Sequence, residues 1–524
     1  MRILVSDDIS ESALGVFSGT GWSVQKRTGL KSEELAAIIA EYDALLVRSA
    51  TKVTRELLTC ASKLRVVGRA GMGVDNIDVE AATVKGVVVM NTPGANTIST
   101  AEHAMALLLA AAKHVTQAAA SMKAGRWDKK SFVNMELRGK TLGIIGLGRI
   151  GQEVARRAAA FEMRLMAYDP FVSESVARSL HAHLAPLDQL LAESDFVSLH
   201  ATLTAESRNL IDATALGRMK PGAVLINCAR GDLVDEDAVL EALESKRIAC
   251  AALDVFKKEP LTDYRLASHP NVIPTPHLAA STSEAQELVG VEIARQIYDY
   301  LKDGIVRNAV NVSAIPVEDR TVVEPFLTLG GRLGAFAAQI TQGRMEEVEI
   351  EYHGDALHKY ANTISSHVLR GLLGTIIENV NEVNALHIAR SRGIRLREEF
   401  SPAASPYPSL IGVRLRTDET QTHLEGTAFN HRLCRLVSCD GLPLDIHLGG
   451  GMLFIRNRDV PGVIGQLGTA LGGHTINIGQ MSLSRNSETH LAMAVLSVDG
   501  EVGTEVVEEL RRITAVEYAR YVEV

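Results

Sequence analysis

Three residues spaced through the middle of the chain, Arg230, Glu259 and His277, could together hold an acid and move a proton. Arg230 follows the apolar run Ala-Val-Leu-Ile-Asn-Cys-Ala that begins at Ala223. Glu259 follows Leu-Asp-Val-Phe and precedes Pro260. His277 follows Val-Ile-Pro-Thr-Pro, where Pro274 and Pro276 stiffen the loop. An arginine can grip a carboxylate through two parallel hydrogen bonds. An imidazole titrates in the range where a hydroxyl proton can be taken and returned. A carboxylate beside it orients the ring and stabilises its cation. These are the three needs of hydride removal from a 2-hydroxy acid. Taken singly, each has an ordinary reading: one of 16 histidines, a solvated glutamate before a proline, an arginine capping a carbonyl. Their common place at the ends of predicted strands is what joins them.

Ligands of an open parallel sheet gather beyond the carboxyl ends of its strands, and a phosphate-binding turn lies upstream. In the run from Lys140 to Gly151, an apolar strand leads into Gly146-Leu-Gly148-Arg-Ile-Gly151 and then a helix predicted over 152–161. Gly146 permits the tight turn, Gly148 lets backbone approach a pyrophosphate, and Gly151 lets helix and strand pack closely. Asp169, eighteen residues past Gly151, ends a second apolar run. Its carboxylate can accept from both adenosine ribose hydroxyls and repels a 2'-phosphate, which favours NAD over NADP.

A second glycine cluster, Gly68-Arg-Ala-Gly71-Met-Gly73, imitates such a loop, but the residues after it lack the periodicity of a packing helix. It reads as a turn that offers backbone N–H groups to an anion, or as a plain tight turn. Arg48 stands at another strand end. Lys129 and Lys130 form a compact basic spot, either a solvated patch or a phosphate contact.

Positioning these groups takes several units, since 524 residues are too many for one core. Strands predicted over 2–5, 44–47, 64–67 and 87–90 make a first α/β sheet. Strands over 141–145, 165–168, 196–199, 223–227, 248–253 and 272–274 make a second. An amphipathic helix over 283–301, opened by a capping box from Ser281 to Glu284, returns to the first sheet and leaves a cleft between the two. The expected boundaries are a substrate-binding part at 1–98, a dinucleotide domain at 99–282 and the returning segment at 283–314. Residues 315–450 mix helices (365–380, 382–392) with strands (348–352, 409–416, 421–428). Residues 451–524 read as a ferredoxin-like βαββαβ unit with Asp459 capping its first helix.

Composition is that of a globular protein, 46% hydrophobic and 22% charged. A net charge of −9 argues against general nucleic-acid affinity. The five cysteines form no CxxC or secreted pattern, and Cys228 and Cys250 sit in apolar runs as core thiols. No metal site is expected. The apolar stretch 104–112 is too short for a membrane span and the first residues read as a strand, so the cytoplasm is expected.

Seven segments in order resemble the D-isomer-specific 2-hydroxyacid dehydrogenases: those starting at Val47, Gly68, Asn91, Gly146, Asn227, Ala252 and Thr275. The resemblance covers residues 1 to about 312, and the added units resemble the long branch with an intervening domain and a C-terminal ACT domain. The fold implied is two Rossmann-like α/β domains, then an α+β domain, then the ACT unit. The resemblance implies NAD-dependent oxidation of 3-phospho-D-glycerate to 3-phosphohydroxypyruvate, the first step of the phosphorylated route to L-serine. It makes His277 the acid/base, Glu259 its partner and Arg230 the carboxylate ligand. It lines the NAD site with Arg149, Ile150, Asp169, Thr202, Cys228, Ala229, Asp254 and Ala280. It gives the substrate Met72, Gly73 and Arg48, with Lys129 and Lys130 reaching the phosphate in a neighbouring subunit. It implies a homotetramer, with L-serine held near Asp459 and Asn477. Asn457, where a tyrosine can occur in relatives, and Gly441-Leu-Pro443, where basic residues can line an anion site, depart from that pattern. Two other readings keep the core: a dehydrogenase of another 2-hydroxy acid such as glyoxylate or hydroxypyruvate, and an NAD-sensing interaction protein, which the appended ACT unit disfavours. The tail is also open to a purely structural reading, as a dimerisation module without an effector.

Overall fold

The computed structural model describes residues 1–401, 406–429 and 433–524. Its strands fall into four sheets. The first holds β1 (Arg2–Val5), β2 (Ser23–Lys26), β3 (Ala44–Val47), β4 (Val66–Arg69) and β5 (Val88–Met90), all parallel, in the order β2-β1-β3-β4-β5. Every residue of β3 is buried, as a parallel strand covered on both faces requires. The helix Ser283–Asp303 supplies part of that cover: Val289, Ile293 and Ile297 share a core with Ile3, Val5 and Val66. A Cβ on Gly68 of β4 would lie 2.6 Å from Ile297 Cδ1. The helix start differs from the expected capping box. Thr282 is the cap and accepts from the Ala285 N–H at 3.2 Å. Ser281, Thr282 and Ser283 all carry competent hydroxyls, so sequence alone does not choose among them.

The second sheet holds β6 (Thr141–Ile145), β7 (Arg164–Tyr168), β8 (Ala182–Leu184), β9 (Phe196–Leu199), β10 (Ala223–Asn227), β11 (Ile248–Leu253) and β12 (Val272–Pro274). The order β12-β11-β10-β9-β6-β7-β8 is parallel and doubly wound, and its switch point lies between β6 and β9. The helix Thr97–Ala112, the first after the crossover from β5, packs on this sheet through Ala101, Met105 and Leu108.

The third sheet runs β14 (Arg395–Ser401), β13 (Met345–His353), β15 (Leu410–Thr417), β16 (Gln421–Phe429), β17 (Leu433–Cys439), β18 (Leu442–His447). The fourth is antiparallel, β20 (Ile478–Asn486), β21 (Leu491–Val498), β19 (Gly451–Arg458), β22 (Val516–Glu523), with helices Val463–Gly473 and Thr504–Arg512, which is the ferredoxin-like arrangement.

Several elements depart from expectation. The strands β2, β8, β14, β17 and β18 lie outside the expected ones: β2 (Ser-Val-Gln-Lys) keeps no residue fully buried, and β8 only Ala182. The helix Val317–Ile340 was hidden by Pro325 and by glycines. Those glycines serve close packing on the helix Ala361–Gly374: a Cβ on Gly334 would lie 2.1 Å from Val368 O, and one on Gly371 would lie 1.9 Å from Gly331 O. The helices expected over 365–380 and 382–392 are Ala361–Gly374 and Ala385–Ser391. Asp459 does not cap a helix. Gly462 is the cap, in the left-handed region, while Asp459 pairs with Arg485 at 2.7 Å. Among the described residues no helix is long and apolar enough to cross a membrane.

Candidate active site

The glycine turn between β6 and the helix Arg149–Ala160 has the geometry a dinucleotide needs. Gly146 has φ +93°, and a Cβ there would meet the Ala201 N at 2.7 Å. A Cβ on Gly151 would lie 2.1 Å from Gly146 O, so only glycine lets the helix start against the turn. Gly148, the helix cap, faces open space, with no atom within 4 Å of a built Cβ. The free end of a twelve-residue helix and an unfilled approach form a cradle for a pyrophosphate. Asp169 is held at the end of β7: Oδ2 accepts from the Leu147 N–H at 2.8 Å and Oδ1 from the Phe171 N–H at 2.8 Å. Its carboxylate therefore stands against the turn. Ile150 is half-buried, Arg149 is exposed and donates to Pro93 O from across the cleft, and Thr202 lies exposed past β9. Cys228 and Ala229 follow β10. Burial pushes the Cys228 thiol far up, with the Asp254 charge adding to it, so it is an inert wall.

Asp254 follows β11 and is fully buried. Burial alone would raise its pKa. Hydrogen bonds from His103, from Thr275 Oγ1 (2.6 Å) and from the N–H groups of Leu278 (2.8 Å) and Ala279 (3.0 Å) hold the carboxyl below its usual range. Ala280 completes that loop.

His277 and Glu259 meet as expected, Nδ1 to Oε2 at 2.6 Å. The other Glu259 oxygen accepts from the Phe256 N–H at 2.9 Å. Burial works against the Glu259 charge, but the bonds from His277 and Phe256 prevail and lower its pKa. The hydrogen bond from His277 to the Glu259 carboxylate raises the His277 pKa, against partial burial and the nearby Arg230. With Nδ1 committed, Nε2 is the ring atom left to face a substrate.

Arg230 joins the two sheets. Its Nε lies 3.2 Å from Asp75 Oδ2, and its Nη1 donates to Ala229 O at 2.7 Å. A Cβ on Gly73, from the loop after β4, would lie 2.0 Å from Arg230 Nη2. Among the described residues the N–H groups of Met72 and Gly73 make no hydrogen bond, while Met72 O accepts from Asn91 Nδ2. Arg48 is half-buried. Its N–H donates to Asp7 at 2.6 Å, and its guanidinium forms no ion pair among the described residues.

Sequence reasoning passed over Arg69. It lies at the end of β4 and donates from Nε to Asn76 Oδ1 at 3.1 Å. Burial first, then the charges of Arg230 and Arg48, push its pKa down to about 10. The sequence carries a signal, an arginine between Gly68 and Gly71, but β4 runs two residues later than the expected 64–67, and this puts Arg69 at its end. Lys129 and Lys130 sit on an exposed turn, and neither ammonium has an ion partner among the described residues. Asp459 and Asn477 are not in contact: Asn477 donates to Asp499 Oδ2 at 2.8 Å, and Asp459 is tied to Arg485.

Residues 105–279 match the model of the D-isomer specific 2-hydroxyacid dehydrogenase NAD binding domain. Residues 322–440 match that of the D-3-phosphoglycerate dehydrogenase intervening domain. The chain is 41% identical to D-3-phosphoglycerate dehydrogenase of Archaeoglobus fulgidus across 100% of both chains. It is 38% identical to that of Bacillus subtilis across 98% of this chain and 97% of the relative. Among solved structures, the TT0316 protein of Thermus thermophilus covers 59% of this chain and 100% of its own, at 35% identity and a TM-score of 0.55. A D-lactate dehydrogenase of Aquifex aeolicus complexed with NAD and lactic acid covers 59% of this chain and 99% of its own, at 28% identity and a TM-score of 0.52. The full-length relatives carry all four sheets' worth of chain, and the site residues stand in the matched core. The chain belongs to the D-isomer-specific 2-hydroxyacid dehydrogenases, in their D-3-phosphoglycerate dehydrogenase branch.

Proposed function

We propose that this chain oxidises 3-phospho-D-glycerate to 3-phosphohydroxypyruvate with NAD, the first step of phosphorylated L-serine synthesis. One observation carries the choice of substrate: the guanidinium groups of Arg48, Arg69 and Arg230 lie close enough to act on one another, with only Asp75 and Asp7 as opposing charges, and Arg230 also acts on His277. A 2-hydroxy acid with a second anionic end matches that excess. Arg230 takes the carboxylate bidentately. Arg48 and Arg69 take the phosphate, and the free N–H groups of Met72 and Gly73 steady it. His277 Nε2 accepts the C2 hydroxyl proton, and Glu259 stabilises the resulting imidazolium. NAD would lie over Gly148, with its ribose on Asp169 and with Arg149, Ile150, Thr202, Cys228, Ala229, Asp254 and Ala280 along it. When bound, it supplies the acceptor for the C2 hydride.

The ferredoxin-like tail is assigned to regulation, with L-serine held near Asp459 and Asn477 at a subunit interface of a homotetramer, in which Lys129 and Lys130 serve the neighbouring site. The exposure of Asn477 and of both lysines supports this. Four buried, unpaired thiols accord with a reducing compartment, the cytoplasm. Absorbance of reduced nicotinamide, followed with 3-phosphoglycerate against lactate, glyoxylate and hydroxypyruvate, tests the reaction. His277→Ala must abolish it, and a fully active variant would contradict the assignment. Equilibrium dialysis with L-serine and sedimentation velocity test the regulatory part.

A further inference from the structure

The loop that carries His277 is held in an uncommon backbone conformation. His277 has φ +57°, the left-handed region, which a side-chain-bearing residue adopts only when its surroundings insist. Those surroundings are mostly Asp254. The His277 N–H donates to Asp254 O at 2.9 Å, and Thr275, Leu278 and Ala279 all donate to its carboxylate. A buried carboxylate with no arginine or lysine beside it needs a strong further donor. The helix Thr97–Ala112 supplies one: His103 Nε2 lies 3.2 Å from Asp254 Oδ1 and 3.1 Å from Thr275 Oγ1. One turn earlier, Ser99 Oγ donates to Ala279 O at 2.6 Å. Two side chains on one face of this helix therefore clamp the loop on both sides of His277.

We propose that His103 is a positioning residue for the reaction, which holds the Asp254 carboxylate and Thr275 in place and through them sets the orientation of His277. Its ring donates Nε2–H to both oxygens, and the Thr275 hydroxyl donates its own hydrogen bond to the same carboxylate oxygen. The helix is also the first element past the crossover between the two sheets, and Arg149 reaches back to Pro93 in that crossover. The clamp thus ties the position of the acid/base to the joint about which the cleft would close.

The electrostatics give a readout that simple loss of packing would not. The groups facing His277 are Glu259, Asp254 and Arg230; those facing Asp254 are His103, Thr275, Glu259 and Cys228. The Asp254 charge helps keep the His277 pKa up. Without the His103 clamp the loop shifts, the Glu259–His277 contact that chiefly raises the His277 pKa loosens, and that support for His277 weakens.

This proposal rests on the dehydrogenase reading above, and full-length wild type, His103→Leu, His103→Gln and Thr275→Val test it. In His103→Leu, kcat with 3-phosphoglycerate falls about tenfold or more, as losses of outer supporting groups do. Its KM stays within about twofold, since the arginines are untouched. The acid limb of the kcat/KM profile for oxidation moves to lower pH. His103→Gln, which keeps an N–H donor of similar reach, recovers most of the rate and the wild-type limb. Thr275→Val loses rate in the same direction, and it carries the test if His103→Leu does not fold. A His103→Leu enzyme with wild-type kcat and profile overturns the proposal. So does a loss of rate with an unmoved limb and no rescue by glutamine. A wild type inactive on 3-phosphoglycerate overturns the reaction assigned above and this role with it, which is a separate result from an active wild type indifferent to residue 103.

Discussion

Replacing Glu259 by glutamine keeps the side chain's shape and removes its charge. The bond to His277 is short, 2.6 Å, but the two side chains are 35% and 50% exposed, so solvent screens them. Charges about 4 Å apart interact by roughly 1 kcal/mol in water and about 4 kcal/mol under the screening typical near a protein surface. With this exposure the lower part of that range applies, about 1–2 kcal/mol, or about one pH unit on His277. The sign follows from the roles. Glu259 raises the His277 pKa above its ordinary 6.5, and oxidation needs the neutral ring, so its rate falls as pH drops through that value. Glu259→Gln therefore moves the acid limb of oxidation down by about one unit. Reduction needs the imidazolium, so its alkaline limb moves down by the same amount. Above neutrality the variant loses more of its reducing than of its oxidising activity. The assay is kcat/KM against pH in both directions, followed through the nicotinamide absorbance. A limb that stays in place, or one that moves up, refutes the pairing as the source of the shift.

Asp169→Ala removes the charged ribose acceptor. A hydrogen bond to a charged group contributes about 1.5–3 kcal/mol, so KM for NAD rises about 10–100-fold while NADP becomes a better cosubstrate; steady-state rates with both nucleotides check this. Arg69→Ala removes one guanidinium from the anion cluster and raises KM for 3-phosphoglycerate by about 10–100-fold, with KM for NAD unchanged; equal losses for both would place Arg69 elsewhere. Gly151→Ala forces a Cβ to within 2.1 Å of Gly146 O. Overpacking of this kind costs about 1–3 kcal/mol, so the Tm drops and NADH binding, read by fluorescence, weakens.

The parallel strands were legible because burial on both faces leaves them continuously apolar; β1, β3, β6 and β9 to β12 lie where the residues placed them. Since ligands of such sheets gather at strand ends, Arg230, Glu259 and His277 were legible as candidates with them. The edge strand β2 was not, because it carries Ser, Gln and Lys in place of an apolar run. The helix Val317–Ile340 was not, because its glycines are chosen for approach to another helix and not for helix propensity. Arg69 escaped because its meaning is electrostatic and three-dimensional: β4 and the loops after β3 and β10 must meet before three like charges become neighbours. His103 escaped for the same reason. It lies in an apolar helix 151 residues before Asp254, and nothing local distinguishes it from a core histidine.

On the proposed reading, the arginine cluster would let a chain of net charge −9 select an anion. Arg48 and Arg69 come from the first sheet and Arg230 from the second, so the repulsion between Arg69 and Arg230 acts between the two sheets. Burial first, and then the charges of Arg230 and Arg48 against those of Asp75 and Asp7, bring the Arg69 pKa down to about 10. A substrate with one carboxylate satisfies Arg230 and leaves Arg48 and Arg69 facing each other. A substrate with a carboxylate at one end and a phosphate at the other would neutralise both sides at once. Discrimination against lactate or glyoxylate thus needs no steric barrier. It comes from the unmatched charge that such a ligand leaves behind, and it weakens as salt screens that charge.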